Sequence, residues 1–130
     1  MAPFEAFEAV LAIGLTLPGV EAATRYDGSP QLKIGGAFMA GMATHPSAEP
    51  ATIVVRATFE DREQLLEDAP EVYYLTDYYR NHPVVLARLS ALEPSALRDL
   101  LAMSRRLTLP KARSSRLRAA APTRSRPGGI

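Results

Sequence analysis

The side chains best suited to bind a ligand are tyrosines that lie close together in the chain. Four of the five tyrosines fall within the seven residues from Tyr73 to Tyr79. A tyrosine can bury its ring while its hydroxyl reaches water or a partner, so this cluster can line a pocket or stack on nucleobases. The candidate pocket residues are Tyr74, Asp77, Tyr78, Arg80 and His45.

A structural role for the same cluster is the competing interpretation. Alternation sends one tyrosine of each adjacent pair toward the core, so about half of the cluster is expected to pack there. Asp77 and Arg80 lie three residues apart in a predicted turn, and they can pair with each other instead of with a ligand.

Patterns typical of catalytic or metal sites are missing from the sequence. The chain has no cysteine, which excludes disulfides, thiolate ligands and a cysteine nucleophile. Its two histidines, His45 and His82, each precede a proline and have no metal-ligand spacing. No serine lies in a G-x-S-x-G elbow, and Gly35-Gly36 is not followed by the G-K-[ST] of a phosphate loop. No metal, cofactor or enzymatic activity is therefore predicted.

Charge is distributed unevenly along the chain. The whole sequence carries +1, but residues 1–110 hold all 14 acidic residues and only nine of the 15 basic ones, a net charge of −5. The last 20 residues contain no acid and six cations: Lys111, Arg113, Arg116, Arg118, Arg124 and Arg126. Because residues 111–130 are rich in Ser, Pro, Gly and Arg, they are predicted to be a disordered tail. Such a tail is typical of an arm that binds nucleic acid, an anionic surface or the acidic side of its own domain.

Residues 1–110 are predicted to form a single α+β domain. Apolar spacing predicts helices at 1–17 and from Pro94 onward, and Thr58 followed by Asp61 predicts the capped start of a short third helix. Strands are expected at residues 22–26, 30–34, 38–43, 52–58 and 84–89, with a short one near 72–74. Consecutive strands joined by short turns indicate a mostly antiparallel sheet with helices packed on one side.

Four segments of this domain resemble the MmcQ/YjbR family. They are LPGVEAATRY from Leu17, LKIGG from Leu32, VYYLTDYY from Val72 and PVVLARL from Pro83, and with the last helix they cover roughly residues 4–109. The resemblance implies a CyaY-like α+β fold, a small bacterial cytoplasmic protein, and DNA binding through paired β-hairpin wings. It implies no catalytic residue and no cofactor. Many members have a lysine after the double glycine, where this chain has Ala37, and an aromatic residue where it has Pro83.

Nucleic-acid binding would depend on two groups of cations. Arg25, Lys33 and Arg56 lie on neighbouring predicted strands, so they can converge on the open face of the sheet. The six tail cations alone predict a slope of about −5 for log affinity against log salt, with little preference for DNA sequence. No membrane span is expected, because no apolar run approaches the required length. The first ten residues hold no lysine or arginine of a secretory signal, so a cytoplasmic location is expected.

Two functional hypotheses follow. The first is a non-enzymatic DNA-binding protein that acts through sheet hairpins and the basic tail. The second is a small-molecule or protein-interaction module that uses the tyrosine cluster and the open face. A pocket lined by Tyr74, Tyr78, Lys33 and His45 favours the second hypothesis, whereas a convex basic hairpin edge favours the first.

Overall fold

Six strands form one antiparallel sheet in the computed structural model, which describes residues 5–120 and the side chains of residues 6–109. The strand order is β1-β2-β3-β4-β6-β5. The strands are β1 Val20–Thr24, β2 Pro30–Ile34, β3 Ala37–Met42, β4 Thr52–Arg56, β5 Tyr73–Tyr74 and β6 Val84–Arg88. The predicted α+β class and antiparallel sheet are confirmed, with strand ends shifted by one or two residues.

Turn residues explain why the first three strands fold back on one another. Gly35 and Gly36 between β2 and β3 have φ values of 56° and 82°, as a two-residue turn of type I′ requires. Between β1 and β2, the Gly28 N–H donates to the Arg25 carbonyl at 2.9 Å. In the same turn, the Asp27 carboxylate accepts the backbone N–H and the hydroxyl of Ser29 at 2.9 and 2.7 Å. Both hairpins are therefore closed by local hydrogen bonds and glycine conformations.

Three helices cover one face of the sheet. They are α1 Glu8–Gly14, α2 Phe59–Asp68 and α4 Pro94–Ala120. Thr58 caps α2 as predicted, because its hydroxyl accepts the Asp61 N–H at 2.9 Å. Between these helices and the sheet lies the main hydrophobic core, in which Phe7, Leu32, Met39, Ile53 and Leu101 are completely buried.

A fourth helix, α3 Asp77–Arg80, was not expected and lies on the other face. Its Tyr79 is buried in a second, smaller cluster with Val54, Val84 and Leu86. A helix of four residues is too short to produce apolar periodicity, which is why the sequence pattern does not predict it.

The last helix differs from its predicted end. Its backbone is helical as far as Ala120, so residues 111–120 are helical where the sequence predicts a disordered tail. The segment 111–120 contains alanine, leucine, arginine and lysine and no glycine or proline, a composition that supports a helix. Residues 1–4 and 121–130, including Arg124 and Arg126, lie outside the described residues. Within residues 5–120, no helix has the length and apolar character of a membrane span.

Candidate functional site

The open face of the sheet, opposite α1, α2 and α4, carries the candidate site. Along β4, Ile53 and Val55 point to the main core, so Val54 and Arg56 point to the open face. Val54 lies opposite Leu86 of β6, and Arg56 lies opposite Val84. A patch of apolar side chains therefore adjoins a cation on the same face.

A cleft of about 670 Å³ lies on this open face. Its walls come from the β1–β2 turn, Phe38 of β3, the loop after β3, the end of β4, α3 and the loop before β6. A volume of this size is within the range of small-molecule pockets, about 300–1,000 Å³. The cleft brings together segments that are up to 59 positions apart, from Arg25 to Val84.

Arg25 lies across β3 at one end of the cleft. Its Nη1 donates to the Met42 carbonyl at 2.9 Å and to the Ser29 hydroxyl at 3.3 Å, and its guanidinium lies 5.7 Å from the Phe38 ring centroid. The position depends on Gly41, since a Cβ there would come within 2.8 Å of the Arg25 Nη2. The glycine therefore leaves the space that the guanidinium occupies.

Arg56 forms another part of the cleft wall. Its Nε donates to the Phe38 carbonyl at 2.9 Å, and partial burial lowers the pKa of its guanidinium. Within the part of the chain whose side chains are described, its terminal nitrogens have no hydrogen-bond partner, and neither Arg56 nor Arg25 forms an ion pair. The cleft also contains the carboxylate of Asp27, whose pKa is lowered chiefly by its hydrogen bonds from Ser29 and further by the charge of Arg25. Two guanidinium groups thus share the cleft with one carboxylate that is already hydrogen-bonded.

An aromatic wall faces the cleft from α3 and the loop after β3. The rings of His45 and Tyr78 stack with centroids 3.6 Å apart and planes inclined by 12°. Tyr79 meets the Tyr78 ring edge-on at 4.9 Å, and its hydroxyl accepts the His45 N–H at 3.3 Å. Burial raises the pKa of the Tyr79 hydroxyl. Three aromatic rings from two separate segments therefore form one packed group.

The orientation of His45 is set by its own loop. Its Nδ1 accepts the Ser47 backbone N–H at 3.1 Å, so the neutral ring carries its proton on Nε2. The Ser47 hydroxyl lies 2.9 Å from Nδ1 and 2.9 Å from the Thr76 hydroxyl just before α3. These contacts connect the two segments that form the aromatic wall.

Some of the predicted site residues meet in the cleft. Arg25, Arg56, His45 and Tyr78 line it. Lys33 does not: it lies opposite Glu21 on β1 and Phe38 on β3 in the sheet, outside the cleft wall. Several cleft residues were not predicted as site residues, among them Tyr26, Phe38 and His82. Tyr26 lies outside the tyrosine cluster, and its place beside Arg25, at the end of a predicted strand and just before a predicted turn, was the signal for it.

The remaining pocket candidates have structural contacts instead. The Tyr74 hydroxyl accepts the Glu49 N–H at 2.8 Å and lies 2.7 Å from the Thr52 hydroxyl. Arg80 and Asp77 pair with each other, with Nε and Oδ1 3.6 Å apart. Tyr73 and Tyr79 are the buried members of the two tyrosine pairs, as alternation predicts. The tail cations Lys111, Arg113, Arg116 and Arg118 lie outside the described side chains.

No identity follows from comparison with known proteins, since the chain matched no family model, no curated protein and no solved structure. The resemblance to the MmcQ/YjbR family therefore stays a prediction. Among the described side chains, no group of three histidine or carboxylate residues is arranged to hold a metal ion. Function is inferred from the cleft itself.

Proposed function

We propose that the protein is a binding module that takes a small anionic ligand in the cleft on its open face. The observation that carries the proposal is the meeting of Arg25 and Arg56 at Phe38, in one concave site and without an ion pair among the described side chains. A guanidinium presents N–H donors in a fixed fork that matches the oxygen atoms of phosphate or carboxylate.

The partial burial of Arg56 also favours an anion in the cleft. Removal of a guanidinium from water is unfavourable unless charge or hydrogen bonds compensate for it. At Arg56 the protein supplies one carbonyl, and desolvation already lowers its pKa. An anion in the cleft would offset that cost, because charges attract more strongly where water is partly excluded. Asp27 opposes the same anion, but its carboxylate is directed to Ser29.

The shape of the site supports a small ligand over duplex DNA. The cations lie inside a concavity, whereas phosphates on the outside of a duplex are reached by cations on a protruding surface. Lys33, the cation that a hairpin model would use, lies directly opposite Glu21. The nine cations and 14 acids of residues 1–110 also give this part of the chain a net charge of −5, which repels a duplex.

An NMR titration of the arginine Nε–H signals with inorganic phosphate tests the proposal. We expect phosphate to shift the Arg25 and Arg56 signals, and R56Q to weaken binding about tenfold, because a hydrogen bond to a charged group is lost. R98Q is the matched control, since Arg98 is an exposed cation on α4, on the other side of the sheet. Equal affinities in wild type, R56Q and R98Q would contradict an anion site at Arg56.

Non-specific duplex binding by the basic C-terminal segment is a second candidate. It is supported by the six cations without an acid in residues 111–130, by the helical backbone as far as Ala120 and by the MmcQ/YjbR resemblance. That resemblance and the absence of cysteine also support a cytoplasmic location as part of this candidate.

Replacement of all six cations by glutamine tests this candidate in a gel-shift titration. We expect the replacement to abolish binding that otherwise weakens with a slope of about −5 in log salt. K33Q should leave that binding unchanged. Unaltered affinity of the six-fold variant would show that the segment is not the binding arm.

A further inference from the structure

Two of the most exposed large side chains of the described chain lie at the cleft. Tyr26 is fully exposed and Tyr78 is 52% exposed, and both line the cleft. The other two large apolar side chains of comparable exposure, Leu15 and Phe59, do not line it. An aromatic ring left in water contributes little to folding, so its position at a ligand-sized cleft indicates a contact with a ligand.

The two rings approach the cleft from different sides. Tyr26 lies in the turn after β1, which is an edge strand of the sheet. Tyr78 lies on α3, which packs on β6. Between them run β2, β3 and β4, and Arg25 and Arg56 line the same cleft. A ligand in the cleft can therefore contact both aromatic rings and guanidinium groups.

The Tyr78 ring and the backbone of the turn that carries Tyr26 are held by their surroundings before any ligand arrives. The turn that carries Tyr26 is closed by the hydrogen bonds between Asp27 and Ser29, at 2.7 and 2.9 Å. Tyr78 is stacked on His45 at 3.6 Å and held edge-on by Tyr79 at 4.9 Å. Binding then orders few additional groups, which favours affinity.

We infer that the ligand is a nucleoside phosphate, with its phosphate at Arg25 and Arg56 and its base against Tyr78 and Tyr26. This inference rests on the proposed anion site and names the chemistry of its ligand. An aliphatic anion would leave the tyrosines in water, and a neutral aromatic compound would leave the guanidinium groups without a charge partner. A planar base joined to a phosphate satisfies both, and a cleft of about 670 Å³ suits one nucleotide.

Two kinds of molecule can supply a base joined to a phosphate: a free mononucleotide and the phosphorylated end of a single strand. Base stacking on tyrosine tolerates any base, so little preference among bases is expected. AMP and a 5′-phosphorylated hexadeoxyadenylate distinguish the sources. Tighter binding of AMP indicates the free nucleotide, and tighter binding of the oligonucleotide that Y78A removes indicates a strand end. Oligonucleotide binding that Y78A leaves unchanged belongs to the basic C-terminal segment and contradicts a strand end in the cleft.

Calorimetric titrations of the full chain with inorganic phosphate, adenosine and AMP test the inference. We expect AMP to bind about tenfold more tightly than phosphate, because stacking on tyrosine adds to the affinity of the anion site. The variants Y26A and Y78A should each lower the ratio of AMP affinity to phosphate affinity toward one, because that ratio isolates the contribution of the base. Y26F and Y78F should retain it, since phenylalanine also stacks. L15A is the control, because Leu15 is exposed next to α1 on the opposite side of the sheet.

The outcomes separate this inference from the proposed function. If AMP and phosphate bind equally, the anion site stands and the nucleotide inference is wrong. If neither binds, both are wrong. If Y78A weakens phosphate and AMP by the same factor while Y78F restores both, Tyr78 shapes the anion site and does not hold a base, which also overturns the inference.

Discussion

The two faces of the sheet use the same strands for different purposes. On the face covered by α1, α2 and α4, apolar side chains such as Leu32 are completely buried and form the main core. On the open face, α3 covers only the patch around Val54, and the cleft with Arg25 and Arg56 lies beside it. Because neighbouring residues of β4 serve separate faces, the stability of the core and binding in the cleft can be changed one at a time.

The largest effect is expected from truncation on the covered face. Leu32 is fully buried in β2, and α1 approaches it so closely that a Cβ on Gly14 would overlap its Cδ1. L32A should lower the free energy of unfolding by about 2–5 kcal/mol, because it removes buried methyl groups and leaves a cavity. Urea unfolding measures this, with L15A as an exposed control within about 0.5 kcal/mol of wild type. Phosphate affinity of the folded fraction should not change, and a parallel loss of affinity would show that the two faces are coupled.

Arg62 of α2 connects the covered side with the rim of the cleft. It is buried, its Nη1 donates to the His82 carbonyl at 2.9 Å, and its Nε has no partner among the described residues. R62M should lower the free energy of unfolding by about 1–2 kcal/mol, because the hydrogen bond of a charged donor is lost while the apolar stem is kept. It should also weaken phosphate binding, since His82 lines the cleft.

The matched control for this change is R98M, which makes the same substitution at an exposed position of α4. If R62M is as stable as R98M, relief of the unpartnered Nε outweighs the lost hydrogen bond, as happens when a buried charge is replaced by a hydrophobic side chain of similar size. In that case, weaker phosphate binding by R62M than by R98M would still show that Arg62 positions His82 at the cleft.

The same contrast explains what could be predicted from the sequence. The β-branched run of β4, the double glycine of the β2–β3 turn and the Thr58 cap are local signals, and they predict the antiparallel sheet and the start of α2. The assembly of the cleft depends on a register shift between Leu32 and Lys33, where Leu32 pairs with Ala40 but Lys33 pairs with Phe38. This bulge at Met39 turns Phe38 to the open face, where Arg25 and Arg56 contact it. A single extra residue in one strand leaves no mark in the sequence pattern. The sequence therefore predicts that the two arginines share a face of the sheet, but it does not predict that they meet at Phe38.

Gly41 offers a way to disturb the cleft with a smaller effect on the fold. A Cβ at this position would lie 2.8 Å from the Arg25 Nη2 and 3.2 Å from the Phe38 Cε1. G41A should therefore displace both side chains, at a cost to stability of about 1 kcal/mol, and weaken phosphate binding several-fold. A double-mutant cycle with R25Q provides the check, because G41A should weaken binding little further once Arg25 is absent. Full additivity of the two substitutions would mean that Gly41 does not act through Arg25.

The smallest expected effect concerns the loop that carries His45 to the cleft. Glu49 in this loop accepts two hydrogen bonds from Arg88, at 2.8 and 2.9 Å, and Arg88 lies 4.3 Å from the Tyr74 ring centroid. The hydrogen bond from Arg88 holds the pKa of the Glu49 carboxyl below its ordinary value of 4.5. The folded state therefore binds this proton less readily than the unfolded state, so the contribution to stability is complete above pH 4.5 and is lost as the pH falls below it.

Urea midpoints measured between pH 7 and pH 3 should consequently fall less steeply in E49Q than in wild type. The difference should be small and should shrink in high salt, since the carboxylate is exposed. Part of the slope will persist in both proteins, because the pKa of Asp27 is also lowered, by its hydrogen bonds from Ser29. E63Q, which removes an exposed carboxylate of α2 without an ion pair among the described side chains, should keep the wild-type profile. Superimposable profiles for wild type and E49Q would mean that the pair of Glu49 with Arg88 does not stabilise the folded state. A flatter profile in E49Q but not in E63Q would assign the effect to this pair.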